Sequence, residues 1–459
     1  MRVVFTTSFR EGKGGGCGRV PHEIAHAFAK QSHETVLICP GSKTEIKRVA
    51  PHLRYLQIKS VGEGDVSIPY LTVNNLKFIF NFLKGFSPQV IHSHDFGPIT
   101  LSSQFWAINN QVTFVYTSHV LPTKAFDFAI SESSKSLSRF LDTGLMKKYF
   151  FNFFKNSDAL IALNKEVKRD ILKYGFRNKI FIIPNGRDLK AYCACHLANL
   201  KEKEKQLTFI GYLSIRKNQK YLLRMIKYLP SNFTLNLVGS PINSTYLKSL
   251  KDYVKKNYLR KVNFLGEVPY EQISQILAKT HLFVSASKME VQSLVIIEAL
   301  ASGTPIVALS NETTKELVDD SVGFCLDKKT SPQTFARQIK KICALPPKKY
   351  NDLCQRARNK VSHLDWSEIV RQTEIAYQEL LVEKKKIDGS KNVEKMEAFK
   401  EFLLLLPSSK MKIFLLKQLE RSRQKLPKKN IFPLVFTVMG TFLVGFLYRV
   451  VKKTKKLHY

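Results

Sequence analysis

Acidic residues are scarce in this chain. Its 459 residues carry 37 Asp and Glu against 73 Lys and Arg, a formal charge of +36. Such an excess calls for an anionic partner or surface. On charge alone, nucleic acid, phospholipid and a phosphate-bearing substrate all fit. Cysteine is scarce too: seven residues, an odd number in a long chain, argue against a disulfide framework. Cys193-x-Cys195 beside His196 has no second pair nearby, so it reads as spare thiols in a linker and no metal site is expected. A signal-peptide pattern is missing. MRVVFTTSF runs straight into a strand, which together with the thiols points to a reducing cytoplasm. Short-period repeats and low-complexity tracts are absent. So are a basic–aromatic platform for single strands and a recognisable DNA-binding module, so nucleic acid is not expected as a partner.

What the chain does have is alternation. Short apolar runs alternate with segments of helical period, the mark of a parallel sheet with crossover helices. In the first half the runs are 2–8, 35–40, 89–94, 113–119, 159–164 and 179–185. In the second they are 207–213, 234–239, 262–266, 282–287, 305–309 and 322–326. The expected fold class is α/β, with two Rossmann-like, doubly wound domains, and such folds bind ligands at the C-terminal ends of their strands. We place one Rossmann-like domain at 1–188, a second at 189–365, a crossover helix at 366–385, a basic amphipathic linker at 386–430 and a membrane helix at 431–451. From Lys384 onward there are 19 Lys and Arg against 5 Asp and Glu. Within that tail, IFPLVFTVMGTFLVGFLY (431–448) has 18 residues and no charge. At about 1.5 Å per residue it spans roughly 27 Å, enough for a bilayer core. Basic clusters flank it on both sides, so charge does not orient it; an in-plane helix is the alternative. The basic, aromatic segment 145–156 either dips into a bilayer or packs as a helix.

Three places bear chemistry. The first strand runs into GKGGGCGR (12–19), where glycines let backbone N–H groups approach phosphate at a helix start. G-x-G-x-x-G fails here, because Cys17 and Arg19 stand where glycine is needed, and the second strand ends in Pro40-Gly41 with no acid. A dinucleotide oxidoreductase is therefore disfavoured, and the Lys-[Ser/Thr] of a P-loop is also missing. At strand ends stand His92-Ser93-His94-Asp95 and Thr117-Ser118-His119, with His119 the stronger candidate for substrate contact. Finally, SASKMEVQSLVIIEALASGTPIVA (285–308) sets Glu290 on a loop and Glu298 in the following helix. Paired carboxylates suit a polyol such as a sugar or ribose. Gln292, Ser293 and Leu294 lie between them at the helix start, where N–H groups suit a diphosphate.

Taken in order, Gly15-Gly16, IHSHD (91–95), TSH (117–119), IPNG (183–186), GYLSIRKN (211–218), Glu290-x7-Glu298 and DWSEIVRQTEIAYQELL (365–381) resemble glycosyltransferase family 4, which has the GT-B fold. The resemblance covers roughly residues 1–385. It implies retaining transfer of a sugar from a nucleotide-diphospho-sugar, usually without a metal or other cofactor. It implies that Lys217, Arg216 and the amides around Gly16 and Gln292–Leu294 hold the diphosphate, Glu298 the ribose and Glu290 the sugar hydroxyls, with His119 beside the anomeric centre. Family members are thought to use the donor phosphate itself as the proton acceptor, so no protein base is assigned. The family pattern G-R-L-x-x-x-K is broken by Tyr212, and Arg216 is the expected substitute. The expected partners are a nucleotide-sugar donor, a lipid or glycan acceptor and an anionic membrane. A catalytically silent sugar-binding membrane protein and a GT-B epimerase or phosphorylase are the rival readings.

Overall fold

The computed structural model describes residues 1–61, 67–69, 71–123, 153–192 and 200–386. All but the first residue of the expected linker at 386–430 lies outside the described residues, as do the expected membrane helix at 431–451, Cys193, Cys195, His196 and most of the segment 145–156. Among the described residues, no helix is long and apolar enough to cross a membrane. The described residues form two compact units, Met1–Ile183 with 369–386, and Pro184–Glu368.

The first unit is built on β1 (Arg2–Thr6), β2 (Glu34–Gly41), β3 (Glu45–Ala50), β4 (Leu53–Val61), β5 (Ile68–Pro69), β6 (Val90–Ser93), β7 (Thr113–Ser118), β8 (Ala159–Ala162) and β9 (Lys179–Ile182). The sheet order is β3-β4-β2-β1-β6-β7-β8-β9, with β5 on β4. Pairing is parallel from β4 through β9, with Val3 opposite both Thr35 and Val90. Only β3 and β5 run antiparallel, both on β4. Among the described residues the helices are α1 (Gly15–Lys30), α2 (Val73–Phe86), α3 (Pro98–Asn109) and α4 (Lys165–Lys173). Thr72 and Asn164 cap α2 and α4 by accepting the N–H of Asn75 and Val167, which satisfies donors that a helix start otherwise leaves unpaired. Helix α1 buries Ile24, Ala27 and Phe28, as the helical spacing in the sequence predicts. Central strands such as β6 and β7 are buried on both faces, which is why they read as unbroken apolar runs. Phe153 and Phe154, from the end of the basic aromatic segment, are buried against Tyr116.

The second unit is a six-stranded sheet ordered β12-β11-β10-β13-β14-β15. Its strands are β10 (Lys205–Ile210), β11 (Phe233–Val238), β12 (Val262–Gly266), β13 (Leu282–Ser285), β14 (Ile306–Leu309) and β15 (Gly323–Leu326). Every pairing is parallel. Its helices are α5 (Gln219–Met225), α6 (Ser244–Lys256), α7 (Ile273–Ala278), α8 (Leu294–Ala301), α9 (Thr314–Leu317), α10 (Pro332–Cys343) and α11 (Pro347–Val361). Leu207, Leu235, Leu282, Phe335 and Ile339 are fully buried in one cluster. Each such side chain contributes about 1.5–3 kcal/mol by leaving water. Helix α12 (Trp366–Lys386) starts in this unit and belongs to the first from Ile369 on. Both units are thus α/β with Rossmann-like parallel sheets, as expected. Strands β3, β4 and β5 are additions that the apolar runs did not announce.

Candidate functional site

In the first unit the chemistry-bearing residues gather where β1, β6 and β7 end. Asp95 accepts hydrogen bonds from the Ser8 hydroxyl at 2.9 Å, the Gly97 N–H at 2.7 Å and the Thr100 hydroxyl at 3.2 Å, and also from the Ser8 N–H. Burial pushes its carboxyl up from the ordinary range, and these donors offset part of that. The aspartate therefore ties the end of β1 to the turn before α3. Gly97 is required there, since an added Cβ would lie 1.9 Å from the Ser8 hydroxyl.

The histidines are neighbours. His94 Nδ1 is 3.0 Å from His119 Nε2. His92 packs tilted beside His94 with ring centroids 4.5 Å apart, and its nitrogens reach the Tyr377 hydroxyl at 2.6 Å and the Thr117 hydroxyl at 2.7 Å. Burial lowers His92 to about 3 and His119 to about 4, and pushes His94 well below its ordinary value. All are neutral at physiological pH.

Gly15 and Gly16 open α1. The helix starts after Gly14, which has φ 81° and no side chain to cap it, and its first turn holds no acid. An added Cβ on Gly14 would press 2.2 Å from the Phe9 ring, and one on Gly18 would meet the Lys13 carbonyl at 1.9 Å. The glycines thus permit a close, exposed helix start whose dipole favours an anion.

In the second unit, the ends of β10 and β11 approach closely: a Cβ on Gly239 would lie 2.2 Å from the Gly211 carbonyl oxygen. The loop that follows Gly211 carries Arg216 and Lys217. Lys217 Nζ bonds the Glu290 carboxylate, and Arg216 stands 3.6 Å from its other oxygen while donating to the Met289 carbonyl at 3.2 Å. Glu290 is 7% exposed. Burial alone would raise its pKa, but Lys217 and then Arg216 outweigh that and hold it below 4.5. The Glu290 N–H in turn donates to Glu312 at 3.2 Å.

Gln292, Ser293 and Leu294 do stand at the start of α8. There the Ser293 N–H is engaged with the Thr313 hydroxyl at 2.9 Å, and the Gln292 side chain accepts the Asn185 N–H at 2.7 Å. Glu298 sits in a separate network. Arg187 Nε lies 3.0 Å from its carboxylate and the Tyr270 hydroxyl donates to it at 3.0 Å. Residues Asn185 to Arg187 therefore run from the loop before α8 to Glu298 within it, with Gly186 pressed against Trp366. Sequence reading missed Arg187, Tyr270, Glu312 and Tyr377 as members of these networks. Arg187 stands next to IPNG and Tyr377 lies within the 365–381 motif; Tyr270 and Glu312 had no pointer. Among the described residues, no group of three or more His, Cys, Asp or Glu is placed to hold a metal ion.

Comparisons with known proteins agree with this architecture. Residues 14–191 match the model of Glycosyltransferase Family 4, and residues 198–360 match that of Glycosyl transferases group 1. An uncharacterized glycosyltransferase of Methanocaldococcus jannaschii is 24% identical over 298 residues, 65% of this chain and 74% of that protein. The alpha-monoglucosyldiacylglycerol synthase of Streptococcus pneumoniae is 24% identical over 277 residues, 56% of this chain and 61% of that protein. The structure of Anabaena HepE, solved with UDP and glucose, superposes with a TM-score of 0.64 at 18% identity, covering 82% of this chain and 99% of that one. Two matched models in tandem, each on one Rossmann-like unit, make this chain a family 4 glycosyltransferase of the GT-B fold, an enzyme that transfers a sugar from a nucleotide-sugar.

Proposed function

We propose that the chain is a retaining hexosyltransferase that moves a hexose from a nucleotide-diphospho-sugar to a lipid or lipid-linked acceptor. In this reading it is held by segment 431–451 in the membrane, with its two units on the cytoplasmic side. The observation that carries the reading is the meeting of Lys217, Arg216 and Glu290 beside the ends of β10 and β13. Two cations fixed at one point suit a leaving diphosphate, whose charge grows in the transition state. The carboxylate between them suits sugar hydroxyls, and Glu298 the ribose. In the first unit, Gly15 and Gly16 leave the start of α1 open, with amides suited to an anion. The neutral histidines fit a reaction in which the donor phosphate takes the proton. The lipid acceptor is supported by the basic tail, since each Lys or Arg near an anionic leaflet gains about 1 kcal/mol. It is supported also by the glycolipid named for the Streptococcus pneumoniae relative.

The test is to incubate membranes holding the protein with labelled UDP-glucose, UDP-galactose, UDP-N-acetylglucosamine and GDP-mannose, and then extract lipid. Label in the organic phase is the expected result. Label confined to water-soluble glycan would overturn the lipid acceptor and leave the transferase. Release of the protein by an alkaline wash would overturn the spanning helix.

A further inference from the structure

The contact between His94 and His119 has a direction. Both rings are neutral, so a single hydrogen lies across the 3.0 Å between His94 Nδ1 and His119 Nε2. The other ring nitrogen of His94, Nε2, is buried and meets no hydrogen-bond partner among the described residues. Its surroundings are aromatic: Phe5 lies 6.0 Å away and His92 4.5 Å away, centroid to centroid. Two arrangements are open, and they are unequal. If His119 Nε2 donates, His94 must carry its hydrogen on Nε2, leaving an N–H buried without an acceptor. If His94 Nδ1 donates, Nε2 holds only a lone pair in the same place. A buried N–H with no acceptor is the rarer and costlier defect. The second arrangement then requires the hydrogen of His119 to be on Nδ1.

His92 imposes no contrary demand. Its nitrogens face hydroxyls of Tyr377 and Thr117, and a hydroxyl serves as donor or acceptor by rotating. It packs tilted against His94, while the rings of His94 and His119 lie within 28° of parallel. His119 itself keeps 7% of its surface exposed at the end of β7.

We propose that His94 is a positioning residue: by donating from Nδ1 it fixes His119 as the Nδ1–H tautomer, so His119 meets the sugar substrate as a hydrogen-bond donor and not as a base. The substrate half of this statement rests on the transferase reading above; the tautomer half rests on the His94–His119 geometry, the unpartnered Nε2 and the burial that keeps both rings neutral.

The full chain, labelled with 15N-histidine and held in detergent micelles at about pH 7.5, gives the direct test. Long-range 1H–15N spectra distinguish a protonated from a bare ring nitrogen, and the signals of His119 are those lost in His119→Gln. A protonated Nδ1 and bare Nε2 on His119 are expected; the reverse overturns the proposal. Kinetics with whichever of UDP-glucose, UDP-galactose, UDP-N-acetylglucosamine and GDP-mannose is turned over test the consequence. His94→Ala is expected to lower kcat about 100-fold with the donor KM changed less than about twofold. His94→Asn places an amide nitrogen where Nδ1 stood and is expected to recover about tenfold of that loss. For the same reason His119→Asn retains about tenfold more turnover than His119→Gln. Equal activity of the Asn and Gln variants overturns the donor role. Failure of every donor sugar would sink the transferase reading, and the spectrum would still decide the tautomer.

Discussion

Arg187 and Glu298 lie 3.0 Å apart with each side chain only 2% exposed. Breaking a buried pair by removing one partner strands the other charge and typically costs about 3–5 kcal/mol. Arg187→Met is therefore expected to lower the melting temperature of the full chain sharply. Arg187→Lys should not rescue it, because an ammonium cannot reproduce the planar guanidinium. The double variant Arg187→Met/Glu298→Leu is expected to regain stability without regaining transfer, since a carboxylate for ribose is then missing. Thermal unfolding and transfer assays on the same preparations check both. A single Arg187→Met that melts like the parent would refute the pairing.

Lys217 is the largest favourable influence on the buried Glu290 carboxylate, with Arg216 next. Lys217→Ala is expected to reduce turnover about 100- to 1,000-fold, the usual effect of deleting a group that stabilises developing charge. Glu290→Gln keeps the shape and removes the charge, and should raise the donor KM as well as lower kcat. Binding of UDP by calorimetry separates the two: Lys217→Ala weakens it, while Glu290→Gln leaves it intact or tightens it by freeing two cations. Unchanged turnover in either variant would refute the assignment.

The neutral histidines give a pH dependence with a definite sign. Burial lowers His92 to about 3 and His119 to about 4 in the folded chain, against 6.5 for an ordinary histidine. Between those limits the unfolded chain binds protons that the folded chain refuses, so stability is full above pH 6.5 and falls as pH drops from there toward 4. Glu290, held below 4.5, adds a loss of the same sign further down. Melting temperature followed from about pH 7.5 to about pH 5 should decline, and less steeply in His92→Gln. A flat profile would show that these rings take up protons as readily in the folded chain as in the unfolded one.

Glycine is not equally needed everywhere. Gly18→Ala would place a Cβ 1.9 Å from the Lys13 carbonyl and is expected to disorder the start of α1 and reduce UDP binding. Gly85, exposed within α2, has open space around it, so Gly85→Ala should stabilise the protein by about 0.5–1 kcal/mol. Thermal melting and calorimetry with UDP compare the pair directly.

Strands buried on both faces announced themselves as apolar runs, and helix starts and the Glu290–Glu298 spacing followed from local pattern. Strands β3 and β4 did not. EIKRVA and LRYLQIKSV alternate with charge because β3 is a sheet edge and largely solvated. The family motifs named Lys217 and Glu290 but not the ion pair they form, since 73 positions separate them. Arg187 stands next to IPNG, but nothing local distinguishes it from the other cations of a basic chain. Only its pairing with Glu298 marks it as interior, and such pairing is a property of the folded backbone. Tyr377 lies within the 365–381 motif, but its contact with His92 was not readable, because 285 residues separate the two.

That last separation governs how the protein is born. Helix α12 completes the unit that opens at Met1, yet the stretch from Pro184 to Glu368 must leave the ribosome between them. At about 5–20 residues per second the nascent sheet waits roughly 10–40 s for its final layer. During that interval the face destined for Tyr377 and its neighbours is bare, and chaperone capture or early aggregation has its opening there. Cells translating this chain must therefore shield an unfinished N-terminal half for longer than its own length requires.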